Sequence, residues 1–150
     1  MKPALTILAA LAVTFAFLAA GCGGGNTAPS NRGKKADDKL SRPEVPTEYR
    51  DLAMPAGISA EEGKKQFLAD CASCHGEGGL GDGPVGKALV PPAGNLTDPR
   101  LHEAVGDDYF FWRISEGGAF APFNSGMTPF KNKSEEQRWQ LVAFIRTLKK

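Results

Sequence analysis

Cysteine and histidine are both scarce in this chain, which has three of the first and two of the second in 150 residues. A structural zinc site needs four ligands, and there is no second Cys/His pair to complete one. No stretch alternates apolar and polar residues as a half-buried strand does, so a sheet is not expected and the fold class reads as all-α. There is no internal repeat. A net excess of charge is also missing: the formal charge is +1 overall, and from Ile58 to Lys150 eleven Lys and Arg stand against twelve Asp and Glu. Without a basic stripe, nucleic acid is excluded as a partner, and strong long-range steering of charged partners is not implied. The length suits one compact domain.

Apolar residues are present but concentrated at the start, where Ala4 to Ala20 follows Lys2 as an almost unbroken apolar run. A positive start, an apolar stretch and small residues at its end (Ala19, Ala20, Gly21) are the marks of an export signal. The string Leu18-Ala19-Ala20-Gly21-Cys22 resembles the lipobox of bacterial lipoproteins, with Ala19 where that family usually has Leu. The resemblance implies a signal peptide over residues 1–21, with Cys22 acylated as the mature N-terminus. The alternative is an uncleaved span, for which about 17 apolar residues fall just short of the ~20 required. Either reading puts the remainder outside the cytoplasm and anchored at a membrane, in the periplasm or on the outer face of the cytoplasmic membrane. Residues 22–57 carry Gly, Asn, Pro, Ser and mixed charges with few large apolar side chains, a composition expected to form a flexible tether. Tyr49, Leu52 and Met54 allow its last part to pack on the domain that follows.

That domain is expected over residues 58–150. Ser59 and Glu62 have capping-box spacing and start a helix that runs toward Asp70, with Gly63, Phe67 and Cys71 four apart on one inward face. Residues 76–98 hold seven glycines and three prolines, a loop composition. Asp107 reads as the cap of a short helix through Tyr109, Phe110, Phe111, Trp112 and Ile114, stopped by Gly117 and Gly118. Ser134 and Gln137 form a second capping box, ahead of Trp139, Leu141, Val142, Phe144, Ile145 and Leu148 at 3.6-residue recurrence.

Cys71-Ala72-Ser73-Cys74-His75 is the informative motif, since CxxCH supplies two thiols that add to haem vinyl groups beside an imidazole that coordinates iron. The rival, a thioredoxin-like CxxC, needs a strand-to-helix setting, whereas this motif ends a helix and leads into glycines. From Gly63 through Gly83 the chain reads GKKQFLADCASCHGEGGLGDG, which resembles the start of a class I c-type cytochrome, and the similarity extends to Lys150. The resemblance implies about three to four helices around one covalently bound haem c. It also implies an N-terminal and a C-terminal helix crossing at Gly63 and Phe144, and a late-loop methionine as second iron ligand. Ser125-Gly126-Met127-Thr128-Pro129-Phe130 is similar to that loop with one inserted residue, so Met127 is the expected ligand, with His102 and Met54 as alternatives. In such proteins a proline carbonyl orients the ligand histidine, for which Pro91 and Pro92 are the candidates here. Trp112 and Phe111 either flank the haem or fill the core.

What the resemblance implies for function is a single-electron carrier of a respiratory chain, working with redox partner proteins and not an enzyme. The alternatives are a fixed haem subunit of a membrane respiratory complex, such as alternative complex III, and a haem enzyme or gas sensor.

Overall fold

Gly63 decides how the first and last helices of the domain meet. A Cβ at this position would overlap the backbone carbonyl of Gln140 and press on Cβ of Phe144, so only glycine lets the two backbones come this close. The structure is a computed structural model that describes residues 42–150; the signal expected over 1–21, Cys22 and most of the expected tether lie outside the described residues. Five α-helices and no strands occur among those residues: α1 (Ala60–Asp70), α2 (Ala72–His75), α3 (Pro99–Ala104), α4 (Asp107–Glu116) and α5 (Glu135–Thr147), with one 3-10 turn at Gly86–Ala88. None of them is long and apolar enough to cross a membrane.

Each helix has a local cause. Ser59 Oγ accepts from Glu62 N at 3.3 Å and starts α1, but the Glu62 carboxylate turns away to Lys65 Nζ at 2.6 Å, so only half of the expected capping box forms. The box at Ser134 and Gln137 is complete and starts α5. Asp98 caps α3 through Arg100 N at 2.9 Å, with Pro99 in the first turn where its missing N–H costs nothing. At α4 the cap is Gly106, and the expected cap residue Asp107 is already helical. Its carboxylate is engaged by Arg146 Nε at 2.6 Å, which ties α4 to α5.

Packing follows the helix crossing. Phe67 is fully buried against Phe144, with ring centroids 5.1 Å apart, and Phe111 stacks on Trp139 at 4.1 Å. Burying a Phe67-sized side chain contributes roughly 2–3 kcal/mol. Gly63→Ala gains about 1 kcal/mol of helix propensity. It must also displace the Gln140 backbone, an overpacking cost of up to ~3 kcal/mol. The clash wins because a backbone carbonyl in a packed helix has nowhere to go. We expect Gly63→Ala to lower unfolding stability by about 2 kcal/mol or more in denaturant titration; unchanged stability would mean that α1 and α5 do not touch there.

The tether was expected to run to residue 57, and its last part does pack. Val45, Tyr49, Met54 and Ile58 lie against the core, and Tyr49 is buried with its hydroxyl donating to Glu116 Oε1. Asp51 N donates to Asp108 Oδ2 at 3.1 Å. Four apolar side chains within 14 residues supply burial that favours ordering of this arm, which a count of its glycines and charges does not register.

Candidate functional site

Cys71 closes α1 and also caps the single turn of α2, and His75 N bonds back to Cys71 O at 2.8 Å. One turn of helix therefore carries Cys71, Cys74 and His75 together. Both thiols are free, and all three residues line one cavity of about 360 Å³, within the range of small-molecule sites. Phe67, Leu101, Ile114, Leu141 and Ile145 give it apolar walls, and Met127 lines it from the late loop. The glycine-rich stretch after His75 contributes Leu89, Pro91, Pro92 and Gly94 through Leu96, so the loop expected to wrap around something does border this cavity.

Burial sets the protonation states. The Cys71 thiol is pushed up to about 12, first by desolvation and then by the Asp70 carboxylate, against a smaller opposing effect of Lys133, which pairs with Asp70 at 2.8 Å. His75 is pushed below the ordinary histidine range by burial, partly offset by its bond to a backbone carbonyl. A neutral imidazole keeps the lone pair that a metal requires. The carbonyl is that of Gly94, 3.0 Å from His75 Nδ1. This corrects the expectation for Pro91 and Pro92, whose place is in the cavity wall; the flexible glycine just after them brings its carbonyl to the ring instead. With Nδ1 engaged, Nε2 is the nitrogen left to coordinate.

The Met127 loop is held by its backbone. Gly118 N donates to Met127 O at 2.9 Å, Ser125 N to Gly118 O at 2.7 Å, and Phe130 N to Ile114 O at 2.9 Å. Gly117, at φ +68°, ends α4 in a conformation that L residues rarely adopt, and a Cβ there would meet Met127 O and Pro129 N. The alternatives to Met127 are occupied elsewhere. His102 is buried with Nε2 2.7 Å from Leu96 O and Nδ1 3.4 Å from Arg146 Nη1, while Met54 packs on the core outside the cavity lining. Trp112 is buried against Tyr109, Phe120 and Phe123 and does not line the cavity, so it belongs to the core, as does Phe111.

Sequence reasoning missed Arg113. Its guanidinium lies 3.4 Å from the Phe123 ring centroid, its Nη2 is 4.0 Å from Met127 Sδ, and its buried Nη1 has no hydrogen-bond partner among the described residues. Burial lowers its pKa, yet a guanidinium stays charged. A buried N–H without an acceptor costs about 1–3 kcal/mol unless an acceptor meets it. The available signal was a lone basic residue inside the aromatic run Tyr109 to Ile114. A haem suits these observations: two thiols, a neutral imidazole and a thioether border a largely apolar cavity, and Arg113 in its lining offers a buried N–H to a carboxylate.

The family model described as cytochrome c matches residues 60–149. No curated protein matched. Among solved structures, the chain is similar to one of Kuenenia stuttgartiensis described as the reducing HAO-like protein complex Kustc0457/Kustc0458, with a TM-score of 0.53 and 30% identity over 65% of this chain. The match spans 46% of that protein, so this chain corresponds to less than half of it.

Proposed function

The chain belongs to the cytochrome c family, whose members bind haem c covalently and transfer electrons, and from that premise we propose a monohaem, class I carrier of single electrons. Cys71 and Cys74 would form the thioethers, while His75 Nε2 and Met127 Sδ would ligate the iron. The observation that carries this reading is the convergence of these four side chains on one cavity while His102 and Met54 are engaged elsewhere. A bound haem would supply a one-electron couple, and a thioether together with an imidazole as ligands would raise its potential relative to two imidazoles. If haem is bound, the protein's part would be to supply His75 and Met127 as iron ligands, keep water out with the apolar wall, and meet a propionate with Arg113. With His75 and Met127 both serving as ligands, no site would remain open to oxygen or peroxide, which favours electron transfer over catalysis.

In the same reading, Cys22 carries the lipid anchor and residues 23–41 give the domain reach outside the cytoplasm, toward redox partners of a respiratory chain. A second reading, a fixed subunit of a larger assembly, draws support from the similar structure, which is described as a complex. One preparation tests both. Extracted in mild detergent, the chain is expected to leave the membrane alone, titrate as a single one-electron centre, and reject carbon monoxide when reduced at neutral pH. Co-purification with large partners decides for the fixed subunit, and rapid carbon monoxide uptake decides for an enzyme or gas sensor.

A further inference from the structure

We infer that His102, although no ligand, is a positioning residue that tunes the iron through His75; the inference rests on the haem reading above. Two carbonyls of one short segment are each engaged by a histidine: Gly94 O by His75 Nδ1 at 3.0 Å and Leu96 O by His102 Nε2 at 2.7 Å. The segment between them is stiff. Asn95 Oδ1 accepts from both Thr97 N at 2.8 Å and Thr97 Oγ1 at 2.9 Å, Leu96 N donates to Gly79 O at 2.7 Å, and Thr97 is buried.

The tautomer of His102 follows from its surroundings. Arg146 Nη1, 3.4 Å from Nδ1, has only protons to offer, so Nδ1 accepts and the ring proton sits on Nε2, where it donates to Leu96 O. Arg146 is itself fixed by Asp107 Oδ1 at 2.6 Å, Val105 O at 2.9 Å and His102 O at 3.1 Å, and the His102 ring packs on Phe110 at 5.5 Å between centroids. A clamp from α4 and α5 thus holds the His102 ring, the ring holds Leu96 O, and the stiff turn holds Gly94 O against His75.

The bond from His75 Nδ1–H to a carbonyl makes the imidazole a stronger donor and so favours ferric iron. Releasing Leu96 O loosens the turn and weakens that bond, which shifts the equilibrium toward ferrous iron. His102→Asn and His102→Gln separate this role from mere packing, because both keep a polar amide at the site. The Gln amide nitrogen reaches as far as Nε2 and can donate to Leu96 O, whereas the Asn amide reaches only toward Arg146. In haem-loaded full-length protein, His102→Asn is expected to raise the ferrous-to-ferric ratio at fixed potential about threefold to tenfold, which is roughly 30–60 mV for one electron. It should also speed exchange of the His75 Nδ1 proton in the reduced protein, while His102→Gln stays within about twofold of the parent in both readouts. An unmoved potential in His102→Asn with haem in place overturns the inference alone, and so does an equal rise in both variants. A parent protein without thioether-bound haem overturns the haem reading and this inference together.

Discussion

Replacing Cys71 and Cys74 together by serine is expected to abolish covalent haem attachment, and each single change to leave one thioether and a weaker hold. Both thiols border the cavity and neither is consumed in a disulfide, so each is available to a vinyl group. Serine keeps the size and the helix turn, and the backbone bond from His75 N to Cys71 O at 2.8 Å does not involve either side chain, so the site's frame should persist. The measurement is haem retention in denatured protein after acid-acetone extraction. The single variants should keep haem through this step, with the α-band of the reduced pyridine adduct moved to longer wavelength by the remaining vinyl group. The double variant should lose all of it. Haem that stays with the denatured double variant would remove the central claim about this motif.

Much of this site was legible because its chemistry is local in sequence. CxxCH spans five residues, and one helical turn is enough to bring Cys71, Cys74 and His75 to the same side whatever the rest of the chain does. The α1–α5 crossing was legible for a related reason: Gly63 is a poor helix residue that only close approach explains, and its clash partner is the turn of α5 from Gln140 to Phe144. The capping residues Ser59 and Ser134 marked both helix starts. By contrast α3 escaped notice, although Asp98 and Pro99 hold a cap and a first-turn proline, because six residues carry too little apolar periodicity to stand out.

The remaining features depend on long-range packing that no short window records. Which carbonyl meets His75 depends on how the loop from Gly76 to Asp98 folds back, and in such a loop a glycine two residues past Pro92 serves where a proline was expected. Arg113 reads as the polar edge of a helix until α4 is seen to be buried from Tyr109 through Trp112, where its Nη1 lies buried without a hydrogen-bond partner among the described residues. Likewise Tyr49 looks like part of a tether, and its bond to Glu116, far along the chain, is a contact that no short window of sequence records.

Met127→Leu tests the axial assignment, where the loop departs from the family pattern by the inserted Thr128. Leucine nearly conserves volume and apolarity, so the fold should lose under ~1.5 kcal/mol beyond any ligand bond. The bonds that shape the loop, from Gly118 N to Met127 O at 2.9 Å and from Phe130 N to Ile114 O at 2.9 Å, are made by backbone atoms that the variant keeps. What it removes is the sulfur, including its contact with Arg113 Nη2 at 4.0 Å. The redox behaviour should therefore change far more than the stability. The far-red ferric band of a methionine-ligated iron should vanish, and reduced protein should take up carbon monoxide through the open position that the parent lacks. The potential should fall by on the order of 100 mV, a fraction of the ~0.8 V range over which axial ligands set haem potentials. Met127→His should restore six-coordination at a potential below the parent's, because imidazole is the better donor to ferric iron. Met54→Leu serves as the control: Met54 packs on the core and does not line the cavity, so that variant should keep the band. A band that survives in Met127→Leu and disappears in Met54→Leu would move the ligand out of the late loop and into the N-terminal arm.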